Sequence, residues 1–403
     1  MEQMNNYFAF NKDVVLVKGY NRGVIHNLND GSIYSINKEA KDKLSRLLSG
    51  NRIDYSDNEF VEYLNVLIQN QLGYFTDEGI ISGNYDYYKK DKYKMDTVWF
   101  QLRKACNLKC IHCYLDASYN SDDKLEILKV DDWKKIIDEL SLCSPRNIIL
   151  IGGEPTMYKG INEVIKYIIK KLQSTRVGFY SNLTYINEES IELIKSNGIS
   201  VITSLYSYRR EIHDEITRVQ GSFDKTVNNI KLLNRLGIDV TANIVAMKKN
   251  IADIDKTKSF IQSITNKKAK VDYVRNIGDS KEAIMIENRK KIKEVKIYKK
   301  DFIKNLSGNS CLQGKMNITC DGYVSPCIMS ERFIDKKYNI KNNSLKEIID
   351  EYLIERFWRI SRDYIKLCKD CEYRYTCKDC RAVEGSEEDV YQKSKCKYNP
   401  YGE

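Results

Sequence analysis

The chain has 403 residues, a length that is enough for two or three domains. Of these residues 42% are hydrophobic, and the net charge is +10. It contains no apolar run near the ~20 residues of a membrane span, and its N-terminus lacks the basic and apolar segments of a secretory signal. We therefore expect a cytoplasmic protein without membrane attachment, whose twelve cysteines are ligands rather than disulfides. The lysines are spread along the chain rather than gathered in a basic stripe, so the sequence favours no nucleic-acid partner.

The first 85 residues are predicted to form a separate module. Short strands are expected around Phe8–Lys18, Gly23–Asn27 and Ser32–Ile36. Two helices, Lys38–Ser49 and Asp57–Gln71, and a hairpin at Gly73–Ile81 complete a winged-helix-like pattern. Residues 86–96, rich in Tyr, Lys and Asp, are predicted to be a linker.

The middle of the chain alternates between apolar strands and periodic helices, which is typical of an α/β fold with a parallel sheet and right-handed crossovers. The predicted strands are Thr97–Arg103, Asn147–Ile151, Arg176–Ser181, Ile199–Leu205, Ile238–Ala246 and Ala269–Arg275. One helix buries Trp133, Ile136, Ile137 and Leu140; a later one is expected to begin with Ser222 as its N-cap and to stop at Gly237.

Three cysteines, Cys106, Cys110 and Cys113, follow the first of these strands in a Cys-x3-Cys-x2-Cys run. A [4Fe–4S] cluster is normally held by four cysteines, so three thiolates would leave one iron with an open site. Zinc sites usually contain paired Cys-x2-Cys units, and no second pair lies near this run. Three buried structural cysteines are the weaker alternative, because thiols this dense indicate ligation rather than packing.

The second strand runs directly into Gly152-Gly153-Glu154-Pro155. Glycines let a backbone approach a ligand closely, and the Glu154 carboxylate is able to accept from an amino group. Alone, this run is also compatible with an ordinary strand-to-helix turn. Its position one strand and one helix after the cysteine triplet makes it a much stronger signal.

With these two motifs in this order, the chain resembles the radical S-adenosylmethionine (SAM) enzymes. The resemblance covers residues 97–305 and implies a partial (β/α)6 TIM-like barrel with SAM bound to the open iron and to Gly152, Gly153, Glu154 and Pro155. It further implies SAM contacts from an aromatic position and from strand ends, namely His112, Ser181, Asn182, Ser204 and Arg275. For the strand-end residues, turn hydrogen bonds or a surface salt bridge are equally compatible interpretations. His213 and Asp214 are interpreted as mainly structural, and Cys143 as a buried small hydrophobe.

The remaining cysteines lie in residues 306–403. Their order resembles the SPASM domain, a C-terminal extension of radical SAM peptide and protein maturases that carries auxiliary clusters. The resemblance implies two [4Fe–4S] clusters, one on Cys311, Cys320, Cys327 and Cys380 and one on Cys368, Cys371, Cys377 and Cys396. Two residues, where the family usually has three, separate Cys377 from Cys380, and Cys-x2-Cys pairs also suit zinc.

The N-terminal module resembles the peptide-recognition element of the maturases of ribosomally made peptides. These resemblances imply an enzyme that cleaves SAM, abstracts hydrogen from a precursor peptide and installs a thioether, carbon–carbon or carbon–oxygen crosslink. They also imply a leader peptide bound by the N-terminal domain and an electron donor such as flavodoxin or ferredoxin. The run Val17-Lys-Gly-Tyr-Asn-Arg-Gly-Val-Ile25 is similar to the grasp-with-SPASM subtype. The alternatives are a sulfatase-type maturase that oxidises Cys or Ser and, outside enzymes, a zinc-binding interaction protein. No catalytic base is predicted.

Overall fold

The computed structural model describes residues 6–89, 93–275, 296–377, 380–381, 396 and 398–402. Contacts divide the chain into two compact units. The terminal unit contains Met1–Tyr93, Arg289–Gln313 and Phe357–Glu403, and the central unit contains Lys94–Asn288 and Gly314–Arg356. This division differs from the predicted boundaries, because the segments before and after the barrel share one unit.

The N-terminal part of the terminal unit contains two small antiparallel sheets and two helices. Tyr7–Phe10 (β1) pairs with Gly73–Thr76 (β5), and a second sheet has the order β2-β3-β4. Its strands are Val14–Lys18 (β2), Gly23–Asn27 (β3) and Ile33–Ile36 (β4), and the helices are Lys38–Leu47 (α1) and Asn58–Gln69 (α2). Asn37 and Asp57 cap the two helices with their side chains.

Two details of this region differ from the prediction. The expected single strand over Phe8–Lys18 is two strands, because the chain turns at Asp13, whose φ is +65°. The expected hairpin at Gly73–Ile81 is wrong, since only β5 is a strand and its partner is β1. Gly73 permits this pairing, because a Cβ at that position would collide with the Phe8 ring.

The central unit contains one eight-stranded sheet in the order β11-β10-β9-β8-β7-β6-β12-β13. Six consecutive parallel strands form most of it: Thr97–Gln101 (β6), Asn147–Ile151 (β7), Arg176–Tyr180 (β8), Ser200–Ser204 (β9), Val240–Ala246 (β10) and Val271–Tyr273 (β11). Lys315–Ile318 (β12) adds in parallel to β6, and Val324–Ser325 (β13) turns back beside it. The α/β prediction with six parallel strands is therefore confirmed.

Helices connect these strands and bury their apolar sides. They are Val130–Leu140 (α3), Ile161–Lys171 (α4), Glu188–Ser196 (α5), Arg210–Thr217 (α6), Ser222–Arg235 (α7) and Ile254–Thr265 (α8). The predicted α3 face is fully buried, and Trp133 stacks on Phe100 of β6 at 4.7 Å. Ser222 is the first residue of α7 rather than its N-cap, because Gly221, with φ +79°, occupies the cap position.

The other segments of the terminal unit complete its core. Lys299–Leu306 (α9) contributes Phe302 and Leu306 to a buried cluster that also contains Val15, Val17 and Tyr375. Outside this core, Leu345–Glu347 (α10) of the central unit is capped by the Ser344 hydroxyl and continues as a π-helix over Ile348–Trp358. In the described part of the chain, no helix is both long and apolar enough to cross a membrane.

Candidate functional site

The Cys106–Cys113 loop leaves the carboxyl end of β6, where the functional groups of parallel barrels gather. Asp122 anchors its beginning: one carboxylate oxygen accepts from the backbone N–H groups of Lys104 and Ala105 at 2.7 and 2.9 Å. The other oxygen pairs with Arg103 Nε at 2.8 Å. Asp122 was not predicted from the sequence, because nothing in the loop motif indicates an anchor this far along the chain.

Backbone N–H groups donate to two of the three sulfur atoms of the loop. The N–H of Leu108 donates to Cys106 Sγ and that of Ala117 to Cys113 Sγ, both at 3.4 Å. Burial raises the pKa of Cys106 to about 12 and raises the pKa values of Cys110 and Cys113 above their ordinary range. Buried, clustered thiols with N–H donors aimed at sulfur fit thiolates that share a cationic iron–sulfur centre.

The two glycines after β7 allow the strand end to touch this loop. A Cβ on Gly152 would collide with the carbonyl oxygen of Arg103, and one on Gly153 with that of Lys104. The backbone N–H of Gly153 donates to Arg103 O at 2.9 Å, and that of Glu154 to Ala105 O at 3.0 Å. The glycines thus position the cysteine loop through the backbone as well as facing the site.

Both motifs line one cavity of about 360 Å³ in the central unit. Seven predicted cofactor-binding residues line it: His112, Gly152, Gly153, Ser181, Asn182, Ser204 and Arg275. All three cysteines of the loop line it as well. The sequence motifs and the strand ends therefore meet, as the resemblance implied.

Glu154 and Pro155 lie behind the cavity wall. Glu154 is 1% exposed, and its carboxylate accepts from Ser181 Oγ at 2.8 Å, Thr156 Oγ1 at 2.8 Å and the backbone N–H of Asn182 at 2.8 Å. Burial raises the pKa of Glu154 despite these donors. In this structure the carboxylate ties the end of β7 to the end of β8, and its contact with SAM stays a prediction.

Four tyrosines of the cavity wall were not predicted: Tyr114, Tyr180, Tyr206 and Tyr273. Tyr180 and Tyr273 are the last residues of their strands, and Tyr114 directly follows Cys113, so position alone contained the signal. Burial and, after it, the charge of Cys110 raise the pKa of Tyr206 well above its ordinary value. Its ring lies 4.8 Å from that of His112.

His112 and Arg275 both line the same cavity, and their contacts with SAM stay predictions. Burial lowers the pKa of His112 to about 4, so the ring is neutral at pH 7 and presents an apolar face. Arg275 pairs with Asp272 at 3.1 Å. The salt-bridge interpretation of Arg275 is therefore confirmed, and its contact with SAM stays a prediction.

The interpretation of His213 and Asp214 as mainly structural residues is confirmed. The Asp214 carboxylate accepts from Gly221 N, Ser222 Oγ and Phe223 N at 2.7–2.8 Å and so holds the start of α7. His213 Nδ1 accepts from the backbone N–H of Tyr206 at 3.3 Å. The prediction for Cys143 is wrong: this thiol follows the end of α3 and is exposed.

No disulfide bond forms among the cysteines of the described ranges. Cys320 and Cys327 lie in the central unit; the terminal unit contains the other six predicted auxiliary ligands, Cys311, Cys368, Cys371, Cys377, Cys380 and Cys396. Burial, with smaller contributions from the charges of Glu372, Cys368 and Cys377, raises the pKa of Cys371 to about 12. Within the described ranges, no three Cys, His, Asp or Glu side chains stand ready around a single metal ion. The assignment of ligands to two auxiliary clusters stays a prediction.

Comparisons with known proteins identify both regions. Residues 102–261 match the model of the radical SAM superfamily, and residues 310–372 match the SPASM iron–sulfur cluster-binding domain. The antilisterial bacteriocin subtilosin biosynthesis protein AlbA of Bacillus subtilis (strain 168) is 27% identical over 277 residues, 64% of this chain and 60% of AlbA. The cysteine-type anaerobic sulfatase-maturating enzyme of Clostridium novyi (strain NT) is 27% identical over 68% of this chain and 85% of that protein.

Among solved structures, Streptococcus suis SuiB bound to its precursor peptide SuiA aligns with 96% of this chain and 99% of SuiB. The TM-score is 0.58 and the identity 16%, a likeness that shows the shared fold. The two matched domains imply [4Fe–4S] clusters, and the donor set described above fits them. The chain therefore combines a radical SAM domain with a C-terminal SPASM domain.

Proposed function

We propose that this protein modifies a ribosomally made precursor peptide by radical chemistry and installs a crosslink in it. The observation that carries the proposal is the convergence of Cys106, Cys110, Cys113 and the Gly152-Gly153 turn on one cavity. The likeness to AlbA, a bacteriocin biosynthesis protein, and the fold shared with peptide-bound SuiB support a peptide as substrate. The whole activity is proposed, since the match spans 60% of AlbA.

A [4Fe–4S] cluster and SAM, when bound, would supply the radical chemistry that abstracts a hydrogen atom from the peptide. Cys106, Cys110 and Cys113 would hold the cluster. The cavity wall is largely aromatic and apolar, with Tyr114, Tyr180 and Tyr206 among its residues, and so limits water around a reactive species. Flavodoxin or ferredoxin is the class of electron donor that we propose.

The open edge of β4 is the proposed leader-peptide site. Within the described residues β4 pairs with β3 alone, and Tyr34 and Ser35 on it are exposed. Asn27 N donates to Ser32 O at 3.0 Å, and Tyr34 stands opposite Ile25 two residues on. Hydrogen-bonded and non-hydrogen-bonded pairs alternate along an antiparallel ladder. The Asn27–Ser32 and Ile25–Tyr34 pairs are therefore hydrogen-bonded, and the intervening and following pairs, including Val24–Ser35, are not. The N–H of Ser35 thus points away from β3 and is available to pair with an added strand.

Replacing Ser35 with Pro tests this site, because it removes that N–H without breaking a bond to β3. We expect S35P to bind the precursor peptide at least ~10-fold more weakly, whereas S35A, the matched control, binds like the wild type. Affinity is measured by fluorescence anisotropy with a labelled leader. Equal affinities of S35P and the wild type would contradict leader binding at β4.

A sulfatase-type maturase is the second candidate, favoured by the relative from Clostridium novyi. It would oxidise one Cys or Ser without a leader peptide. Incubation with the precursor and with a leaderless core peptide separates the two functions. Leader-dependent loss of two hydrogens, with two residues joined in fragment spectra, supports the crosslinking maturase. Leader-independent formation of an aldehyde supports the alternative.

A further inference from the structure

The turn that follows β8, Ser181–Thr184, contacts the cysteine loop through Asn182. Asn182 Nδ2 donates to Asn107 Oδ1 at 2.8 Å and lies 3.8 Å from Cys106 Sγ, within hydrogen-bonding distance of sulfur. Asn107 in turn donates to Thr184 Oγ1 at 2.8 Å. The end of β8 is therefore joined to the cluster loop by side-chain hydrogen bonds.

The orientation of the Asn182 amide follows from its partners. Its Oδ1 accepts from the backbone N–H of Thr184 at 2.9 Å, a group that only donates. The Thr184 hydroxyl donates to the same oxygen at 2.6 Å. The NH2 group must then face Asn107 and Cys106.

The backbone of this turn is held in a strained conformation. Leu183 is fully buried and has φ +53°, a left-handed conformation that is rare for leucine. Its N–H donates to Ser181 Oγ at 3.0 Å, and its carbonyl accepts from Asn229 Nδ2 at 2.7 Å. The Asn182 carbonyl accepts from Thr226 Oγ1 at 2.8 Å. Such strain persists only where surrounding contacts over-determine the turn, and here it aims Asn182 at the loop.

The buried Glu154 carboxylate joins the same network. It accepts from the backbone N–H of Asn182 and from Ser181 Oγ, each at 2.8 Å. The Gly-Gly-Glu turn therefore controls Asn182 as well as the cysteine loop.

We infer that Asn182 is a positioning residue that donates a hydrogen bond to the Cys106 thiolate and makes the cluster held there easier to reduce. Hydrogen bonds to cluster sulfurs are one means by which a protein sets the reduction potential, because an N–H dipole stabilises the added negative charge. This differs from the SAM contact that the sequence predicts for Asn182. The inference rests on the proposed cluster ligands and on no property of the peptide substrate.

The test compares Asn182→Ala and Asn182→Asp with Asn197→Ala in the full-length, reconstituted protein. Asn182→Asp keeps the oxygen that Thr184 contacts and loses the donor to sulfur. Asn197 is exposed, and its side-chain Nδ2 donates to Leu193 O at the end of α5, so it is the matched control. The readout is an EPR-monitored redox titration without SAM, and the signal of this cluster is the one that Cys106→Ala lacks.

At the potential that half-reduces the wild-type cluster, we expect an approximately tenfold smaller ratio of reduced to oxidised cluster in both Asn182 variants. For a one-electron couple this is a shift of about −59 mV. Asn197→Ala should titrate like the wild type.

An unchanged potential with full iron content overturns the inference, and weaker SAM binding in the same variants would restore the predicted SAM contact. Loss of iron from both variants, with wild-type circular dichroism, also overturns it, because Asn182 would then determine cluster assembly. Absence of any iron–sulfur signal from the wild-type protein would instead contradict the proposed function itself.

Discussion

The two cysteine-rich regions differ in how their ligands are brought together. Cys106, Cys110 and Cys113 lie within eight consecutive positions on one loop, and hydrogen bonds join that loop to the residues that follow β7 and β8. The SPASM cysteines extend from Cys311 to Cys396 and belong to both compact units. Ligands on one loop can be predicted from their spacing in the sequence, whereas the grouping of ligands from distant segments depends on the whole fold.

The largest expected effect is on SAM cleavage, which should depend on the cysteine loop and not on the SPASM cysteines. Cys110→Ala removes one of three thiolates on a single loop, so SAM cleavage should fall to background. Cys371→Ser removes one ligand of a predicted auxiliary cluster and should leave uncoupled SAM cleavage measurable while crosslinking is lost. Chromatographic measurement of 5′-deoxyadenosine in the presence of dithionite checks both. Cleavage by Cys110→Ala at the wild-type rate would contradict the ligand assignment.

Gly153→Ala tests whether the loop depends on close approach by β7. The added Cβ would collide with the carbonyl oxygens of Lys104 and Ala105 and displace the loop. We expect the variant to lose about four irons per chain, the content of one cluster, as measured by iron analysis.

Gly198→Ala is the control for Gly153→Ala. A Cβ added at this position would meet no described atom within 4 Å, but the φ of +60° makes alanine unfavourable by about 1 kcal/mol. It should therefore lower the free energy of unfolding and keep all its iron. Full iron content in Gly153→Ala would show that the glycine is dispensable.

Glu154→Gln tests the buried carboxylate behind the cavity. Glutamine would place an NH2 group against donors such as Ser181 Oγ or the N–H of Asn182. One buried donor would lose its partner, and we expect the free energy of unfolding to fall by about 1–3 kcal/mol. Urea denaturation of the metal-free protein measures it. Wild-type stability would show that the carboxylate is not needed as an acceptor.

The smallest effect concerns the terminal unit. Burial lowers the pKa of His26 from 6.5 to about 3, with a further contribution from the charge of Arg374. The unfolded chain takes up a proton below pH 6.5 and the folded chain does not, so stability falls as the pH falls from 6.5 towards 3. His26 should account for about 1.4 kcal/mol of this loss by pH 5.5.

His26→Phe isolates that contribution, because the ring lies 5.2 Å from Phe302 and neither ring nitrogen has a hydrogen-bond partner among the described residues. Urea denaturation at pH 7.5 and 5.5 should show a smaller pH dependence in the variant than in the wild type. Equal pH dependence would show that His26 is protonated in the folded state.

The sequence predicted the central unit better than the terminal unit, and the reasons are physical. Asn147–Ile151 was predicted with the observed bounds, because an apolar strand ending in Gly-Gly has clear limits. The hairpin at Gly73–Ile81 was wrong because β5 pairs with β1, more than sixty residues earlier, and local pattern does not show such a partner. Asp122 and Tyr206 were missed for the same reason: each acts on the cysteine loop from a distant segment.

The sequence also predicted the location of the site residues better than the direction of their side chains. His112 and Ser204 reach the cavity because a motif or a strand end places them there. Glu154 belongs to the same motif, yet its side chain turns inward, because the Ser181–Thr184 turn supplies the donors that its buried charge requires. Spacing predicts which residues are close to a site and leaves open which of them face it.

Iron and sulfide per chain, measured together with SAM cleavage, test the central claim most directly when the wild type is compared with a variant in which Cys106, Cys110 and Cys113 are all Ala. The account predicts roughly twelve irons in the wild type, the sum of three cubane clusters, and about eight in the variant, with SAM cleavage only in the wild type. Zinc without iron in the wild type, or 5′-deoxyadenosine released by the triple variant, would contradict it.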